Sequence, residues 1–142
     1  MSIFFTNDDI DLCIDNDDLI KKWIAEIIAR HGMKLGKINY LFCSDQKVYE
    51  YNVRFLKHDT YTDIITFDFV EGNLISGDII ISVDRVGENA SLYSSSFEDE
   101  LHRVIIHGVL HLLGFKDKNS EDAIIMRSKE NESLQILDSM TK

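Results

Sequence analysis

Proline is absent from this 142-residue chain. No pyrrolidine ring breaks a helix or fixes a turn, so glycine, asparagine, aspartate and serine must supply the punctuation. Cysteine is scarce, with only Cys13 and Cys43. The two lie far apart and match no ligand spacing. That excludes a disulfide framework and a cysteine-based zinc site; both read as reduced thiols in apolar surroundings of a cytosolic protein. Long apolar runs are also missing. No stretch approaches the roughly 20 apolar residues of a membrane span. The opening MSIFFTNDDIDL has no basic region ahead of an apolar run, so no secretion signal is read. A cytoplasmic location without a membrane partner is the expectation. Positive charge is in short supply as well: 15 Lys and Arg against 25 Asp and Glu give a net charge of -10. Bulk attraction to nucleic acid is thereby disfavoured, and any phosphate contact must come from a local basic patch.

What remains is an ordinary globular composition, 44% apolar and 28% charged, with no repeat and no low-complexity linker. At this length it fits one domain over residues 1–142, with a core that needs no metal to hold it together.

Strand patterns come early. Ile3 to Phe5, Ile38 to Cys43, Asp63 to Phe69 and Asp78 to Val83 are apolar or β-branched, and Gly72-Asn73 joins the last two as a hairpin. Leu19 to Arg30 is amphipathic, with Ile20, Trp23, Ile24 and Ile27 at helical spacing behind an acidic cluster and Gly32 after it. Ser44 caps a helix that includes Val48, Tyr51, Asn52 and Phe55, and Asp84 to Leu92 makes another. Glu98 to Leu113 has the clearest apolar stripe and stops at Gly114; Ser120 caps a last helix, Glu121 to Leu137. Strands that cluster early and helices that cluster late indicate an α+β domain with four strands and about five helices.

Chemistry concentrates in HGVLHLLGFKD, residues His107 to Asp117. Histidines four apart on a helix share one face, with Cβ atoms roughly 5–6 Å apart, and can hold one ion. Such pairs also arise by chance, but these two sit in an otherwise apolar helix. Gly114 turns the chain back, so that Asp117 can bring a carboxylate to the same ion. Two imidazoles and one carboxylate leave a fourth position open, as a catalytic zinc site requires. A metalloprotease is rejected, because its helix carries Glu directly after the first His and this chain has Gly108 there.

The same run resembles the H-G-x-L-H-L-x-G-[YF]-D-H signature of the YbeY family of single-strand-specific endoribonucleases. NVRFLKHDTYTDIITF, Asn52 to Phe67, resembles the family's N-x-x-[YF]-R-x-x-D-x-x-T-[DN]-V-L-S-F, and GDIIIS at Gly77 to Ser82 resembles its G-D-I-x-I-S strand. The three blocks keep the family's order, and the resemblance implies a small mixed four-stranded sheet packed with about five helices, the helix at 98–113 central, which its apolar stripe supports. Two positions depart from it. Asp117 stands where the third ligand is usually His, which makes the site harder and more open to Mn or Mg. Leu56 stands where the family has an Arg that contacts phosphate.

The resemblance implies a zinc-dependent endoribonuclease with one ion per chain, held by His107, His111 and Asp117, which would act through the metal. Its implied partners are rRNA and the small ribosomal subunit, with ribosomal or GTPase proteins beside them. Its implied role is maturation of the small-subunit rRNA 3′ end and ribosome quality control. Arg54, Lys57, His58 and Arg85 are the candidate RNA contacts; the bland alternative is that they form a solvated face. A second reading is a ribosome-associated binding factor with a mainly structural zinc, whose last helix offers Met126, Lys129 and Leu134 to a partner. A third is a metallohydrolase acting on a small substrate.

Overall fold

In the computed structural model, which describes residues 2–57 and 62–141, the early strands and late helices alternate. The order is β1 (Ser2–Asn7), α1 (Asp17–Arg30), β2 (Lys34–Cys43), α2 (Asp45–Tyr51), β3 (Ile64–Asp68), β4 (Leu74–Ser82), α3 (Val83–Leu92), α4 (Phe97–Leu112) and α5 (Ser120–Met140). The sheet runs β1-β2-β4-β3. β1 and β4 both pair parallel to β2, and β3 returns antiparallel on β4 as the expected hairpin. The sheet is therefore mixed and four-stranded, as the resemblance implied.

Strand alternation divides the apolar residues between the two sheet faces. Ile38, Tyr40, Ile79 and Ile81 join Trp23, Ile24 and Ile27 of α1 and Ile105 and Val109 of α4 in the main core. Ile65 and Ile80 join Cys43 and Val48 in a smaller cluster on the other face, under α2. Tyr40 is fully buried, and its hydroxyl donates to the Ile105 carbonyl at 2.8 Å, fixing α4 across the sheet. Burial pushes that phenol well above its usual range, so it stays a neutral donor. Trp23 donates its indole N–H to the Ser133 carbonyl at 2.7 Å and so ties α5 to α1.

Several boundaries differ from the sequence reading. β2 starts at Lys34 and β4 at Leu74, because pairing with one another extends both strands through glycines that interrupt their apolar pattern. The shift of register between Leu35 and Ile38 absorbs the irregularity at Gly36. The helix capped by Ser44 ends at Tyr51; Asn52–Leu56 is a π-helical turn, so Phe55 is not on an α-helical face. Asn119, not Ser120, caps α5, its side chain accepting from the Asp122 amide. Cys43 is buried as expected, whereas Cys13 is exposed.

Candidate metal centre

Ser96 accepts a hydrogen bond from the Asp99 amide and opens α4, with Glu98, Asp99 and Glu100 in its first turn. The helix buries Leu101, Ile105, Val109 and Leu112, and is central as expected. Gly108 faces the sheet, where any Cβ would lie 2.8 Å from Ile79 Cδ1. His107 and His111 occupy the adjoining flank of the helix, and their ring centroids are 4.7 Å apart. Leu113 ends the helix, and the Gly114 and Phe115 amides bond back to the His111 and Leu110 carbonyls. This reversal needs Gly114 at φ 106. It brings Asp117 back over the two histidines.

His107 Nε2 lies 3.4 Å from one Asp117 oxygen, and His111 Nε2 lies 3.5 Å from the other. One donor atom from each of the three residues falls within 4.8 Å of the others. Tetrahedral donors bound at about 2.0–2.2 Å from a single ion would sit roughly 3.3–3.6 Å apart. Each histidine's spacing to Asp117 falls on that edge, but to a different carboxylate oxygen, so a small turn of the carboxylate would seat one oxygen against a shared ion.

The free electron pair on His107 is set from behind. Its Nδ1 donates to Glu130 Oε2 at 2.6 Å, and Arg103 Nη1 donates to Glu130 Oε1 at 2.9 Å. Burial alone would raise the Glu130 carboxyl, but the bonds from His107 and Arg103 hold it below its ordinary value. It is ionised, hence acceptor only, so the imidazole proton lies on Nδ1 and Nε2 faces Asp117. Burial works to lower the His107 pKa, but the Glu130 bond and charge, with Asp117 behind them, leave it raised. For His111 the direction is reversed: burial, then the neighbouring His107 charge, lowers it. The donor chemistry therefore fits a divalent ion: two imidazole nitrogens, one carboxylate, and a buried carboxylate that fixes the ring bearing the heavier burial.

The three candidate ligands line a cavity of about 380 Å³. Arg103 and Arg127 are the Lys or Arg side chains along it among the described residues. Arg54, Lys57 and Arg85 do not line it. Arg54 lies over the Phe55 ring, 5.2 Å from its centroid. Lys57 follows the π turn in a left-handed conformation. Arg85 is paired with Asp45 at 2.9 Å. His58 lies outside the described residues. Leu56 is exposed and also absent from the cavity wall. The surface that the binding-factor reading assigned to the last helix is not available as read: Met126 is in the core and Leu134 packs against it.

Glu130 and Arg103 escaped the sequence reading. A signal existed: Met126, Glu130, Ser133 and Leu137 recur at helical spacing, which puts an acid on the buried stripe of α5. An acid there requires a partner. Nothing in the local sequence names His107, 23 positions away.

The family model described as Endoribonuclease YbeY matches residues 4–138. Proteins named Endoribonuclease YbeY are similar over most of their length. The one from Parabacteroides distasonis is 47% identical across 96% of both chains. That from Flavobacterium johnsoniae is 47% identical over 90% of this chain and 92% of its own. That from Porphyromonas gingivalis is 51% identical over 84% and 79%. A solution structure from Thermotoga maritima, 29% identical, superimposes with a TM-score of 0.67, covering 96% of this chain and 89% of that one. The chain belongs to the YbeY family of endoribonucleases.

Proposed function

We propose that the protein is a zinc-dependent, single-strand-specific endoribonuclease that matures the 3′ end of small-subunit rRNA in the cytoplasm. Family membership supports the reaction class. The observation that carries the site is the convergence of His107, His111 and Asp117 at 3.4 and 3.5 Å, with Glu130 fixing the His107 ring from behind. His107, His111 and Asp117 would hold the ion. When bound, it supplies Lewis acidity for attack on a phosphodiester. Zinc is favoured by the imidazole pair and by spacings that suit four-coordination.

The chain's own groups do the rest. Glu130 keeps the His107 proton on Nδ1 through its 2.6 Å bond. Arg103, held by Glu130 and by Asn131 at 2.9 Å each, presents a fixed positive charge at the cavity wall. Arg54, Lys57 and Arg85 would contact the strand beyond the cavity rather than within it. Cytoplasmic work agrees with the helices: none among the described residues is long and apolar enough to cross a membrane.

The test measures the metal content of purified protein and its cleavage of a single-stranded rRNA fragment and the matching duplex. Cleavage of the single strand alone, abolished by chelator and restored by zinc, is expected. RNA binding without cleavage at any supplied metal would overturn the enzyme reading in favour of a binding factor.

A further inference from the structure

The cavity that holds the ligand residues does not end at them. A second cavity of about 390 Å³ adjoins it, and the two share Tyr93, Glu100, Arg103 and Arg127 as walls. Each has the size of a small-ligand pocket. We propose that this second cavity is a nucleotide subsite: one nucleotide of a single RNA strand, adjacent to the reacting phosphate, places its phosphate on Arg127 and stacks its base on Tyr93, with preference for bases bearing an exocyclic amino group. The proposal rests on the RNA-cleavage reading and extends it.

The division of labour follows from the side chains. Arg103 is committed to Glu130 and Asn131 by two 2.9 Å bonds. Arg127 approaches Glu130 only to 3.8 Å, and its side chain is 54% exposed. Its guanidinium can turn to an incoming phosphate without breaking a short bond, and its fork suits phosphate oxygens. Tyr93 caps α3 and is 60% exposed, an aromatic face in water at the rim of both cavities. A nucleobase stacked there would remove apolar surface from water on both partners.

Polarity orders the nucleotide. The outer cavity carries the carboxylates of Asp99 and Asp138 above the apolar Leu134 and Leu137. Phosphate is repelled by such a wall, whereas a base edge is not. Carboxylates accept hydrogen bonds and donate none, so they pair with the amino groups of cytosine, adenine or guanine. Uracil has no amino group to offer, and its single N3–H donor is flanked by two carbonyl oxygens that a carboxylate repels. At the partition, burial pushes the Glu100 carboxyl above its ordinary value.

The experiment uses the full chain with zinc supplied. Binding of a labelled single-stranded oligoribonucleotide is followed by anisotropy at several salt concentrations, and cleavage ends from a random-sequence RNA pool are sequenced. Tyr93→Ala is expected to weaken binding roughly five- to hundredfold, and Tyr93→Trp to restore it. Arg127→Ala is expected to reduce the magnitude of the log affinity against log salt slope by about 0.7, the loss of one phosphate contact. The native protein is expected to disfavour uracil at one position beside the cut, and Asp138→Asn to abolish that bias. Zinc content should be equal in all variants. If the native protein cleaves RNA while Tyr93→Ala and Arg127→Ala bind as tightly and with the same salt slope, the subsite is overturned alone. If the native protein neither binds nor cleaves RNA, the RNA reading falls and takes the subsite with it.

Discussion

Glu130 decides which nitrogen of His107 faces the ligand cavity, and it does so as a buried charge. In the metal-free protein the pair has two titration limits. The His107 pKa is raised, so its contribution to stability is complete below the ordinary value of 6.5 and is lost as pH rises through the raised value. The Glu130 pKa is lowered, so its contribution is present above the ordinary 4.5 and is lost as pH falls through the lowered value. The pair stabilises the fold most between those ordinary values. Glu130→Gln keeps the shape and removes the charge. Denaturant unfolding of metal-free protein should show a larger deficit for this variant near pH 5.5 than at higher pH, where His107 has lost its charge and only its neutral Nδ1–H bond and the Arg103 bond to Glu130 remain to be lost. Zinc affinity, measured by chelator competition, should fall about 10- to 100-fold, because the ring loses its orienting carboxylate. Equal zinc affinity and parallel pH profiles would reduce Glu130 to a packing residue.

Among the elements, α4 carries the site because one helix can bury a stripe and present two histidines on the flank. Gly108 lets it sit that close to the sheet. An added Cβ would meet Ile79 at 2.8 and 3.1 Å and Ile64 at 3.3 Å. Gly108→Ala therefore sets an overpacking cost of roughly 1–3 kcal/mol against a gain of about 1 kcal/mol in helix propensity. A net loss of about 1 kcal/mol is expected in urea unfolding, with weakened zinc binding as His107 and His111 shift together. A more stable variant with native zinc affinity would show that the close seating is not required. The absence of Glu at this position thus has a packing reason as well as a chemical consequence: the residue after the first histidine points at β4 rather than into the cavity.

For the whole molecule, the net charge of -10 and the small number of cations at the cavity set how RNA can be held. Long-range attraction is unfavourable, and contact is confined to a few groups. With Arg127 and up to three cations beyond the cavity neutralising two to four phosphates, the slope of log affinity against log salt should lie between about -1.4 and -2.8, at roughly -0.7 per phosphate for a single strand. Binding of a single-stranded oligoribonucleotide between low and physiological salt measures it. A slope of about -5 or steeper would require an extended basic track that the described residues do not supply.

The sequence by itself determined those features whose physics is local. The helical spacing of Leu101 to Leu112, the histidines one turn apart and the positive-φ glycine that reverses the chain are all short-range, so α4, His107, His111 and Asp117 were legible together. So was the hairpin of β3 and β4, joined by a turn at Gly72. Tertiary structure decided what depends on residues far apart in the chain. The extra length of β2 and β4 exists only because the two strands pair with each other. Arg54 and Leu56, on the turn at Asn52–Leu56, do not line the cavity, although the resemblance puts a phosphate contact at position 56. The orientation of His107 is fixed from α5, and the groove that faces Tyr93 with Arg127 exists only once α3, α4 and α5 pack. Chain separations of 23 residues for the His107–Glu130 bond and 110 for Trp23–Ser133 explain why no window of sequence could show them. Helical period tells which residues share a face of α5, but only packing against α1 and α4 tells what that face meets.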